Sequence, residues 1–308
     1  MSEEKRKNTT ISNDKLGPTI LITVGILFLL VNMLDINFGR LWPLILVAIG
    51  VYMIFARNQQ GATTGKTGHF SAPVDGAVSA DVELNLSVGE AWVEPLSGDR
   101  DLIDAELTYL GDIDFDVSGT EHKTVRLRQT ADTTWQWINP ANWFGGVGRY
   151  EWRIGLNRAV PMRLNIHGGM GQSDLNLRDL NVTDLRLHGG AGKMTVTLPA
   201  SSAGYDARIE AGVGEMSLEI PARTSLNLEL RGGVGQVNIR TDPGTAIHLN
   251  ARGGIGDVSV PPRLKQISGS DKEFELGKRG IWESEGFEAA EHRVVIDYEG
   301  GVGQLRLR

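Results

Sequence analysis

The chain has 308 residues, with 31 Lys and Arg against 38 Asp and Glu and a formal charge of −7. That balance argues against a nucleic-acid partner, which requires a basic surface. Cysteine is absent, so disulfides, thiolate metal sites and cysteine nucleophiles are excluded. The 39 glycines against 11 prolines suggest a fold that turns tightly and often.

Residues 1–15 are polar and are expected to be disordered. From Leu16 to Leu34 no residue is charged, a polar break runs from Asp35 to Arg40, and a second apolar run extends from Leu41 to Phe55. At about 1.5 Å per residue these runs cover roughly 28 Å and 22 Å, against a hydrocarbon core of about 30 Å. The reading is a two-helix transmembrane hairpin over residues 16–56, with Trp42 and Tyr52 as interfacial anchors for the shorter second span. A cleavable signal peptide does not fit, because no small-x-small site precedes the break and a second apolar run follows at once. Lys5, Arg6, Lys7 and Lys15 precede the first span and Arg57 and Lys66 follow the second, while Arg40 stands alone in the turn. By the positive-inside rule both outer ends, and with them the C-terminal domain, are expected in the cytoplasm, with the turn on the other side of the membrane.

A linker over residues 57–72 leads into a repeat. Gly-Gly-x-Gly strings end at Gly171, Gly192, Gly235, Gly256 and Gly303, and Ala211-Gly212-Val213-Gly214 is one substitution away. Successive steps are 21, 22, 21, 21 and 47 residues, and Gly148 lies 23 residues before Gly171. From Gly192 onward aliphatic residues fall two and four places after the last glycine, as in Met194/Val196 and Val237/Ile239, and they alternate before it, as in Leu185/Leu187. Alternation on both sides of a glycine turn means strand, turn, strand, and the constant period means a stack. The fold class is therefore mainly β, a parallel β-solenoid over residues 73–308 with Gly-rich turns, preceded by the membrane hairpin. Residues 261–292 read as an insert or cap over one end of the stack.

The residues just before the turns form a polar series, His167, His188, Glu210, Arg231, Arg252 and Glu299. Two histidines are too few to hold a metal, so Glu210 beside Arg231 in an exposed column is the reading, and no metal or other cofactor is expected. Gly61 to Thr67 has three residues between its glycines where a phosphate loop has four. The calcium nonapeptide needs Asp two places after the last glycine, where Ser173, Met194 and Met216 stand. Asp112, Asp114 and Asp116 lack the Gly and Glu of an EF-hand loop and read as one acidic face of a strand. No Ser/His/Asp set or carboxylate pair stands out, and no catalytic residue is nominated.

Trp135, Trp137, Trp143 and Phe144 cluster around Pro140. They form either a cap on the first rung or an apolar loop that contacts membrane or protein, and they are the candidate interaction loop. The chain's last strand, Gln304 to Arg308, is expected to leave an open edge through which a homo-oligomer could form, with Arg306 and Arg308 limiting uncontrolled pairing.

The apolar hairpin with Leu41-Trp42-Pro43, the segment Trp152-Arg-Ile-Gly-Leu-Asn-Arg-Ala-Val-Pro161, the glycine rungs and the closing Trp282-Glu-Ser-Glu-Gly-Phe287 together resemble the LiaF-type cell-envelope stress proteins and the wider toast-rack group. That resemblance implies a non-enzymatic regulatory or sensory scaffold, a multi-pass protein of the bacterial inner membrane in contact with the lipid bilayer and with a membrane histidine kinase or another envelope-stress protein. An extracytoplasmic adhesin or envelope-ligand binder is the alternative, and it requires the opposite orientation.

Overall fold

The structure, a computed structural model, describes residues 65–130, 150–269 and 279–308. The proposed membrane hairpin with Trp42 and Tyr52, and the aromatic loop with Trp135, Trp137, Trp143 and Phe144, lie outside these residues. Among the described residues no helix is long and apolar enough to cross a membrane.

The first strands are β1 (Lys66–Pro73), β2 (Ser79–Asn85), β3 (Gly89–Pro95), β4 (Asp101–Tyr109), β5 (Asp112–Ser118), β6 (His122–Thr130) and β7 (Glu151–Leu156). Five strand–corner–strand rungs follow. They are β8 (Met162–His167) with β9 (Met170–Asn176), β10 (Val182–His188) with β11 (Ala191–Thr197), and β12 (Tyr205–Glu210) with β13 (Val213–Ile220). The next two are β14 (Leu226–Arg231) with β15 (Val234–Thr241) and β16 (Ala246–Arg252) with β17 (Ile255–Ser259). An antiparallel pair, β18 (Leu264–Gly269) and β19 (Gly280–Ser284), a 3-10 turn at Phe287–Ala289, and a last rung, β20 (Arg293–Glu299) with β21 (Val302–Leu307), complete the order.

These strands form two sheets, ordered β1-β4-β7-β3-β9-β11-β13-β15-β21-β17 and β18-β19-β16-β20-β14-β12-β10-β8-β2-β6-β5. Alternation makes each strand two-faced. Leu226, Leu228 and Leu230 of β14 point inward while Asn227, Glu229 and Arg231 point out. Parallel registers such as Leu187 to Ile209 to Leu230 then line the inward residues into columns between the sheets, forming one core. At the ends β1, β4, β5, β18 and β19 pair antiparallel, so the sheets are mixed where an all-parallel solenoid was expected.

The corners explain the glycine count. In spatial order Gly89, Gly171, Gly192, Gly214, Gly235, Gly303 and Gly256 stack, each with φ between +125° and +150°. Only glycine adopts this conformation readily. A Cβ on any of the last six would strike the carbonyl oxygen of the glycine before it in the column, so the requirement is steric as well as conformational.

Rung order departs from chain order at both ends. The β20–β21 rung lies inside the stack, between β14–β15 and β16–β17. The chain's last strand is therefore not the open edge expected of Gln304 to Arg308, because β21 is paired on both sides. Likewise β2–β3 sits between β6–β7 and β8–β9, so the corner glycine stacked before Gly171 is Gly89, while Gly148 lies outside the described residues. Tyr150 occupies the position beyond Gly89, and its carbonyl accepts the Glu90 N–H at 2.9 Å. The expected linker over 57–72 ends earlier, since residues 66–73 form β1. With only Ala72 buried, that edge strand carries no apolar alternation to betray it.

Asn157 ties the β7–β8 connection. Its side chain is 1% exposed, donates to the Asp101 carbonyl at 2.9 Å, and accepts from the N–H groups of Ala159 and Val160. Asn157→Ala strands these buried groups and is expected to cost about 2–4 kcal/mol in urea denaturation. A loss under about 0.5 kcal/mol would show that the side chain is not needed.

Candidate functional site

The outer face of the β18-to-β5 sheet carries its charged side chains in columns, because parallel pairing sets like positions of successive rungs beside each other. In the column next to the glycine corner, His167 and His188 stack with ring centroids 4.7 Å apart and planes 3° apart. His188 Nδ1 lies 3.1 Å from Glu210 Oε2, and Arg231 donates to Glu210 Oε1 at 3.2 Å and approaches Glu299 at 3.7 Å. The expected pairing of Glu210 with Arg231 is present. The order differs, because Glu299 falls between Arg231 and Arg252.

A second cluster joins strands far apart in sequence. Arg163 donates two hydrogen bonds to Asp81, at 2.7 and 2.8 Å, and His122 Nε2 lies 3.1 Å from the same carboxylate. Partial burial acts to raise the Asp81 carboxyl, but the Arg163 hydrogen bonds and charge, with His122, outweigh it and hold the group below its usual range. A depressed carboxylate stabilises the fold above its unfolded pKa and loses that contribution as pH falls through the folded value. Asp81→Asn is therefore expected to flatten the fall in melting temperature below about pH 4, at a cost under about 1 kcal/mol near neutrality. An unchanged acid profile would contradict the assignment. Reasoning along the chain missed this cluster, since the pairing of β2 with β6 and β8 carries no local signal.

Further pairs are Arg208 with Glu229 at 2.7 Å, His248 with Glu283 at 2.8 Å and Arg128 with Asp114 at 2.6 Å. Asp112, Asp114 and Asp116 lie on β5, and Asp112 pairs with Lys66 at 3.0 Å. Exposed pairs of this kind add little stability. What they supply is a rigid, sign-alternating surface, suited to selecting a partner by charge. Among the described residues there is no cluster of three or more His, Asp or Glu able to hold a metal.

Residues 59–219, just over half of the chain, match the family model for the N-terminal domain of toast_rack, DUF2154. Residues 15–54 match the LiaI-LiaF-like transmembrane region. No curated protein matches the chain. Among solved structures, a proposed cell adhesion protein from Clostridium sporogenes aligns with a TM-score of 0.50 and 17% identity, over 79% of this chain and 98% of that one. A proposed adhesin from Bacteroides fragilis aligns with a TM-score of 0.33 and 12% identity, over 81% and 100%. At 17% identity the first likeness is one of fold alone.

Proposed function

Because the chain belongs to the toast-rack family and carries a LiaI-LiaF-like transmembrane region, we propose that it is a membrane-anchored regulatory or sensory scaffold in bacterial cell-envelope stress signalling. It acts by protein–protein contact, without catalysis, and its partner is a membrane histidine kinase or another envelope-stress protein. The observation that carries this reading is the joining of the two matched parts: only residues 55–65 separate the transmembrane match from β1. Fully extended, such a connection reaches roughly 40 Å. The rigid stack therefore stays within reach of a membrane-bound partner, and its charged columns provide the selective surface. In this reading the stack lies on the cytoplasmic side, the orientation that the positive-inside rule favours for this Lys and Arg distribution.

Deletion of the gene tests the proposal. The expected result is raised basal output of an envelope-stress response without added stress, reversed by the intact chain and not by residues 62–308 freed from the membrane. Unchanged basal output, with loss of cell attachment to surfaces, would replace the proposal with an adhesin role.

A further inference from the structure

The third residue of each glycine corner forms a column of its own: Val88, Met170, Ala191, Val213, Val234, Val302 and Ile255 in spatial order. All seven side chains point out. Six of the nine exposed large hydrophobic residues among those described belong to this column, at 44% for Val88, 53% for Met170, 58% for Val213, 53% for Val234, 50% for Val302 and 59% for Ile255. At about 4.8 Å per rung the column is a ridge roughly 29 Å long. Glycines lie on both sides of it, so a partner can approach closely. Scattered exposed valines need no explanation, but an aligned series does.

We infer that two copies of the chain associate through this ridge, antiparallel, about a two-fold axis midway between Val213 and Val234. Period is the first argument. Another such stack matches the ridge at every rung, whereas a helix with a pitch of about 5.4 Å drifts by roughly 3 Å over five rungs. Charge is the second. With the axis at this point, Val213 meets the partner's Val234, Ala191 the partner's Val302 and Met170 the partner's Ile255. In the flanking column Glu210 then faces the partner's Arg231, and His188 faces the partner's Glu299. On the other flank Lys193 faces the partner's Gln304 and Glu215 the partner's Gln236. Moving the axis half a rung sets either Glu210 against the partner's Glu210 or Arg231 against the partner's Arg231. The flanks mix both signs, unlike the basic surfaces that bind anionic lipid.

Five half-exposed aliphatic side chains and Ala191 bury roughly 400 Å² per copy, or about 800 Å² in all, short of the 1,200 Å² or more of stable complexes, and Val88 falls beyond the end of the partner's ridge. The contact is thus weak in free solution and becomes effective when a membrane anchor raises the local concentration. Only this last step rests on the anchoring in the proposed function, and the kinase partner plays no part.

The absence of native cysteine makes the test direct. Full-length chains carrying Val213→Cys and Val234→Cys on different tags are co-expressed, and copper phenanthroline is added to the membranes. A mixed disulfide dimer is expected, as it is for Met170→Cys with Ile255→Cys. Met170→Cys with itself should give none, because the antiparallel arrangement sets the two Met170 positions about 24 Å apart. Val302→Glu should suppress the mixed dimers while the melting temperature moves by less than about 2 °C, since the side chain is half exposed. Cross-linking of Met170→Cys to itself, or none for either mixed pair, overturns the inference. Reaction of Val213→Cys with a lipid-phase maleimide in place of cross-linking overturns it too, and gives the ridge to the bilayer.

Discussion

Deleting residues 293–308 unfolds the described domain cooperatively instead of fraying one end of it. In a linear solenoid the C-terminal rung has one neighbour, and its loss costs one interface. Here β20 is held between β14 and β16, and β21 between β15 and β17. The deletion therefore removes two interfaces and cuts β16–β17, with β18 and β19 beside them, off from the rest of the stack. Val294, Ile296, Tyr298, Leu305 and Leu307 are all at most 6% exposed. At about 1.5–3 kcal/mol each, their burial is comparable to the whole stability of a domain, about 5–15 kcal/mol. A synthetic peptide of residues 293–308 should restore the cooperative melt, because the missing rung is a complete strand–corner–strand unit. A truncated chain melting within a few degrees of the intact one would show that the rung is dispensable.

Gly192→Ala and Gly253→Ala should differ sharply, although both change a glycine of the same repeated string. Gly192 has φ +129°, and a Cβ there would collide with the carbonyl oxygen of Gly171 in the neighbouring rung. Backbone strain of about 1–3 kcal/mol adds to a clash that only separation of the two rungs relieves. The expected loss is therefore above about 3 kcal/mol. Gly253 has φ +67° at the end of the stack, with no atom within 4 Å of the added Cβ. Its substitution should cost only the left-handed penalty, about 1–2 kcal/mol. Urea denaturation of both variants decides it. Equal losses would mean that the glycines serve conformation alone and that rung spacing does not demand them.

Much of the stack was legible because both of its signals are local. Alternation such as Leu226-Asn-Leu-Glu-Leu-Arg231 marks a strand, and a glycine string every 21 or 22 residues marks the corner. Spatial order was not legible. Gly300-Gly-Val-Gly303 reads like any other corner, and nothing in its residues says that it stacks on Gly235 and not on Gly256 alone. The rung at β2–β3 was hidden for a different reason. Its corner keeps only Gly89, where the positive φ is indispensable, and has Leu86 and Ser87 where the later rungs have Gly-Gly or, once, Ala211-Gly212. The Asp81–Arg163–His122 cluster was invisible because residues 41 and 82 positions apart meet only once the rungs are stacked.

Regulation of a partner from within the cell requires the stack to lie on the cytoplasmic side of the membrane. Thr120 is exposed in the turn between β5 and β6, and the chain has no native cysteine. A single Thr120→Cys, treated in intact cells with a membrane-impermeant maleimide, should stay unlabelled until the cells are lysed. Labelling before lysis would place the stack outside the cytoplasm, contradict regulation of a kinase from within, and favour an envelope-ligand or adhesin role.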